Sequence, residues 1–193
     1  MGNLTDLFPV AASNNVLEVV DGVADGRTVV TNLNSYTYGS VSAVSNMSTS
    51  IVTIPGTSID YTPPANAKWV SYKATTKFCA QGYSGISHIY LYVDGTEVIP
   101  AYSDIASQYS NSSHNHGNFI ATVQYVFDLT VSADDIANGK FSSWTTDKTI
   151  EMRAREYNSS YQSAFNKNNW EDGAGASGTE LYDRPIVQII AYE

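Results

Sequence analysis

The chain has 193 residues, a formal net charge of −9, only 15% charged residues, and 14 Tyr. An acidic field repels phosphate backbones and anionic headgroups, so nucleic acid and membrane surfaces are excluded as expected partners. The single cysteine, Cys79, excludes an internal disulfide. A chain of this length can bury roughly 70% of its unfolded surface, so a core forms without a metal or disulfide. No run approaches the ~18 apolar residues of a membrane helix. Met1–Val20 has no basic segment, and Asp6 and Glu18 interrupt it, so no secretory signal is expected and synthesis is cytoplasmic.

Residues 1–15 (MGNLTDLFPVAASNN) lack a clean period, and Pro9 opposes both helix interior and central strand. They read as an extended arm whose apolar residues Leu4, Leu7, Phe8 and Val10 need a cover, from this chain or a neighbour. Residues 16–193 read as one domain. Its first strand, Asn15–Val20, ends at a predicted Asp21-Gly22 turn. Asp25-Gly26, Arg27–Thr31 and a turn over Asn32–Ser35 follow. Tyr36–Val44 and Ile51–Ile54 are weaker strand signals, and Pro63-Pro64 ends a strand at Ser58–Thr62. Trp69–Phe78 alternates, with Val70, Tyr72, Ala74, Thr76 and Phe78 as the predicted core face. His88–Val93, Asp94-Gly95 and Thr96–Pro100 form a hairpin signature. Phe119–Leu129 and Thr149–Tyr157 alternate again. Pro185–Tyr192 is apolar on both faces, which predicts a central, doubly covered strand. Only Ser132–Gly139 reads as helical, with Ser132 as N-cap and Gly139 as stop. About eight to ten short strands with turns between them predict an all-β, antiparallel jelly-roll sandwich behind the N-terminal arm.

Two long polar stretches remain, Ser103–Asn118 and Asn158–Arg184. His114 and His116 would share a face on a strand, but their Ser/Asn/Gly setting supplies no further ligand at metal spacing. No metal, cofactor or catalytic residue is assigned. There is no nucleophile elbow, and Cys79 reads as a buried filler. Glycoside hydrolysis would need two of Glu97, Glu151, Glu156 and Glu171 facing each other in a pocket. Arg153 and Arg155 fall opposite Met152 and Ala154, as a solvated face beside Glu151 or as an intersubunit ion-pair site. Loop aromatics, with Tyr109, Tyr161 and Trp170 foremost beside His114 and His116, form candidate receptor-facing loops. Such rings stack on sugars, pack on protein, or cluster beneath their own loop.

Three stretches, Asn14–Val29, Ser58–Phe78 and Lys148–Gln162, with the closing Arg184–Tyr192, resemble surface and appendage proteins of marine tailed bacteriophages. The fold implied is the tumour-necrosis-factor-like jelly roll, and no catalytic residue carries over. The resemblance implies a non-enzymatic virion structural protein, often a homotrimer, displayed on the particle surface. Met1, a short arm and the lack of heptads or shaft repeats suit a capsid decoration or cement protein contacting the major capsid protein or another virion protein. The alternative is a tail-fibre or appendage tip that binds a host surface glycan.

Overall fold

Alternating apolar residues can bury one face of a strand while the other stays at the surface, and this rule organises the chain. The computed structural model describes residues 15–80, 85–106, 117–167 and 182–193. Its strands are β1 (Val16–Val23), β2 (Thr28–Val30), β3 (Ser35–Thr37), β4 (Ser45–Asn46), β5 (Val52–Thr53), β6 (Ile59–Tyr61), β7 (Trp69–Ala80), β8 (Ser87–Val93), β9 (Thr96–Glu97), β10 (Ser103–Ile105), β11 (Gly117–Asp128), β12 (Lys148–Glu156), β13 (Ser163–Phe165) and β14 (Ile186–Tyr192). These outnumber the expected eight to ten because several are two- or three-residue pairings inside stretches read as loops.

The first sheet is built on β7. One edge of β7 pairs with β11 along its whole length; the other pairs with β14 over Trp69–Thr75 and with β13 over Phe78–Ala80. β1 extends the sheet beyond β14, and β4 beyond β13. In the second sheet β8 and β12 are central, flanked by β10 and β9 on one side and β5 and β6 on the other. All these pairings are antiparallel. Val70, Tyr72, Ala74 and Phe78 of the first sheet share one buried cluster with Ile89, Leu91, Val93, Ile150 and Met152 of the second. The molecule is thus an all-β antiparallel sandwich of jelly-roll type. Full burial of each large apolar side chain contributes about 1.5–3 kcal/mol.

Three local expectations need correction. β1 runs straight through Asp21-Gly22 to Val23. Gly22 is there because Tyr38 lies against it: an added Cβ would sit 2.5 Å from the tyrosine ring. The predicted helix shrinks to a single 3-10 turn, Ile136–Asn138, with no side-chain cap. β14 is central but covered on one face only; Ile186 is exposed and Ile190 half-buried. The Asp94-Gly95 turn is present as expected, with φ of 48° and 77°.

A small β2–β3 hairpin is tied to this sandwich by a buried carboxylate. Glu18 of β1 is 5% exposed. The Thr31 hydroxyl donates to its Oε1 at 2.5 Å, and Tyr36 and Tyr61 hydroxyls donate to its Oε2 at 3.0 Å each. Three hydroxyls in place of water make the burial tolerable. The Tyr61 ring continues into an aromatic cluster with Trp144, Phe127 and Phe141, and Trp144 Nε1 donates to the Tyr61 carbonyl. Burial pushes the hydroxyls of Tyr36, Tyr61 and Tyr72 far up, so they serve as neutral donors. Tyr38, by contrast, has a buried hydroxyl with no partner among the described residues.

This contrast gives a signed stability prediction. Glu18→Ala strands the Tyr61 hydroxyl and should destabilise by about 3 kcal/mol. Tyr38→Phe removes an unsatisfied group and should stabilise by about 1 kcal/mol. Urea unfolding followed by tryptophan fluorescence measures both; equal effects in one direction would contradict the assignment.

Candidate functional site

The outward side chains of β8, β10 and β12 follow from register. Asp104 of β10 and Arg155 of β12 both lie opposite His88, on either side of it. One rung along, Tyr90 faces Arg153; the next pairs Tyr92 with Glu151. Inward neighbours Ile89, Leu91, Met152 and Ala154 are fully buried, which fixes this face outward.

His88, Tyr102 and Asp104 form a closed polar triangle. His88 Nδ1 lies 2.6 Å from both the Tyr102 hydroxyl and Asp104 Oδ1. The Tyr102 hydroxyl donates to the same carboxylate oxygen at 2.5 Å. The Tyr102 ring stacks on His88 and tilts against Tyr90. Arg155 Nε donates to the Tyr90 hydroxyl at 3.0 Å. Tyr157 lies against His88 and meets Tyr161 edge-on. Tyr102 and Tyr157 are 43% and 55% exposed. Hydrogen bonding to Asp104 pushes the Tyr102 hydroxyl up to about 12 and, together with His88, holds the Asp104 carboxyl below its ordinary range.

A His–Asp pair at this distance resembles the base half of a nucleophilic triad, but its other nitrogen is in the wrong place. His88 Nε2 is buried and has no hydrogen-bond partner among the described residues. A proton relay needs that nitrogen within reach of a substrate or nucleophile. Of the four candidate carboxylates, Glu171 lies outside the described residues, and Glu97 and Glu151 flank Tyr92 on the outer face, their backbones about two strand spacings apart. Glu151 and Glu156 are both buried but lie on opposite faces of β12: Glu151 accepts from Arg153 Nε, Arg153 Nη2 and Thr53, and Glu156 accepts from the Ser163 amide. Burial raises the Glu156 carboxyl. Among the described residues, no group of three His, Cys, Asp or Glu could hold a metal, and no helix is long and apolar enough to cross a membrane.

The residues singled out from sequence fare unevenly. Tyr161 belongs to the face just described. Tyr109, His114, His116 and Trp170, together with the arm residues Leu4, Leu7, Phe8 and Val10, lie outside the described residues. Arg153 pairs with Glu151 and sits 4.1 Å over the Tyr92 ring. Sequence reasoning missed Tyr102, Asp104 and His88 as a unit. The one available signal was the alternation of His88, Tyr90 and Tyr92 against Ile89, Leu91 and Val93.

A second cleft, of about 290 Å³, opens between β1 and the β2–β3 hairpin beside Glu18, Val29 and Leu33. The Glu18 carboxylate at its side already holds three hydroxyl donors, so its role there is to fasten the hairpin. No protein-family model matches the chain, and no curated protein matches it.

Replacing Asp104 by Asn leaves an amide oxygen but removes the charged acceptor that raises Tyr102. The Tyr102 hydroxyl should then ionise below about 12, nearer its ordinary value of 10.0. Ultraviolet difference titration of D104N against the parent, with Y102F to identify the signal, reads this directly. An unchanged titration would mean that the triangle does not persist in solution.

Proposed function

We propose that the chain is a non-enzymatic structural protein of a tailed-bacteriophage particle, displayed on the capsid surface as a decoration or cement protein and packed against copies of itself. The observation that carries this reading is the outer face of the first sheet. Across four paired strands, Val19, Ile190, Ser71 and Val126 form one row. Val126 is 51% exposed and Ile120, further along β11, is 73% exposed. Asp21, Gln188, Lys73 and Gln124 make the intervening row, where the opposite charges of Asp21 and Lys73 offset each other. A sheet face with exposed Val and Ile and few charges, in a chain of net charge −9, suits self-association rather than solvation. The resemblance to phage appendage domains supplies the particle, and an arm bearing Leu4, Leu7, Phe8 and Val10 would clamp neighbouring subunits. The buried Nε2 of His88, with Nδ1 already engaged by Tyr102 and Asp104, favours a role without catalysis.

The second reading, a fibre or appendage tip that recognises host glycan, draws support from the aromatic face around His88. Immunogold labelling of intact particles with antibody against the purified chain separates the two. Label over the head supports the capsid assignment, label at the tail tip supports the second, and bare particles overturn both. In solution, light scattering should give a homotrimer of about 63 kDa, three times the 21.0 kDa chain. The double variant Ile120→Glu/Val126→Glu should run as a folded monomer; an unchanged trimer would remove this face from the interface.

A further inference from the structure

We propose that the outer face of the second sheet, around Tyr102, Asp104 and Arg155, is a binding site for a neutral sugar ring carrying vicinal hydroxyls. This deepens the second reading above, without resting on where the chain sits in the particle.

The site offers three kinds of group that such a ligand needs together. Tyr102 and Tyr157 present exposed rings, and the C–H face of a pyranose stacks on such surfaces at small entropic cost. Asp104 is an acceptor with capacity to spare. Both of its hydrogen bonds use Oδ1, leaving Oδ2 unbonded among the described residues, and its side chain is 54% exposed. Arg155 is a donor with capacity to spare. Its only hydrogen bond among the described residues runs from Nε to Tyr90, so both terminal nitrogens of the fork remain.

Position and charge then choose the ligand class. Asp104 and Arg155 flank His88 on adjacent strands, so their backbones stand two strand spacings apart, about 10 Å. Their side chains close part of that gap from opposite sides. An anionic ligand meets the Asp104 carboxylate and the acidic field of the whole chain; a cationic one meets Arg155. A neutral diol satisfies both, donating one hydroxyl proton to Asp104 and accepting at the next oxygen from the guanidinium. The groups are also held in place. The Tyr102–His88–Asp104 triangle fixes two of them, and the Tyr90 hydroxyl anchors the third, so little side-chain entropy is lost on binding.

The test is a glycan microarray of neutral and sialylated glycans probed with the labelled full-length chain. A duplicate array is oxidised with periodate, which cleaves vicinal diols. Binding to neutral glycans that disappears after periodate is the expected result. Tyr157→Ala and Arg155→Gln, both on the surface, should each weaken it about tenfold or more. An unchanged thermal midpoint in each variant shows that the sandwich is intact. Conservative Arg155→Lys keeps the charge but loses the fork and should rescue only partly. Absence of binding, binding only to sialylated glycans, or binding indifferent to periodate or to both substitutions would each overturn the inference. The last would place the contact elsewhere, on protein or on another loop. None of these results bears on the immunogold label, so failure here is distinguishable from failure of the particle assignment.

Discussion

Side-chain parity along β7, β12 and β14 is the constraint on which everything else in this molecule depends. β7 pairs on both edges, so its backbone is committed and it cannot slip by one residue without turning Val70, Tyr72, Ala74 and Phe78 out of the core. Once that register is set, the opposite residues have no choice of side. Ser71, Lys73 and Thr75 must form an outer face, joined by Val126 and Gln124 from β11 and by Ile186 and Ile190 from β14. The same logic on β8 and β12 forces His88, Tyr90, Arg153 and Arg155 outward together. Both candidate surfaces are therefore consequences of the core rather than additions to it.

Buried polar groups show how tightly the rest is specified. Glu18 accepts from three hydroxyls drawn from β3, β6 and the turn after β2. A carboxylate taken from water without such donors would cost several kcal/mol, so the hairpin is held in one position by the need to satisfy it. Tyr38 is the opposite case, a large ring packed on Gly22 although its hydroxyl finds no partner among the described residues. That trade is tolerable because the ring fills space that a smaller side chain would leave empty.

How much of this was legible in the sequence follows from the range of each signal. Trp69–Phe78 and the Asp94-Gly95 turn are local patterns, and both read correctly. Pro185–Tyr192 was misjudged because an outward isoleucine looks the same whether it faces a second layer, a neighbouring subunit or water. Asp21-Gly22 was misjudged because glycine serves close approach as well as turns, and Tyr38 lies sixteen positions away. The Tyr102–Asp104–His88 triangle depends on a register between strands separated by an intervening hairpin and a 3-10 turn. No periodicity encodes that, and β10 sat inside a stretch whose polarity read as loop.

The two outer faces differ in chemistry, and each suits a different kind of contact. The first presents Val, Ile, Thr and Gln on paired strands, a surface that gains by being covered over a wide area. Among the described residues, the second concentrates tyrosines, a guanidinium fork with unused terminal nitrogens and an unbonded carboxylate oxygen around His88, a surface that gains by contact with something small and polar at its edges. A sandwich that buries one face against its own copies must turn the other away from them, because the two lie on opposite sides of one core. Self-association through the first sheet would therefore leave the second sheet's aromatic face pointing outward, where a ligand could reach it.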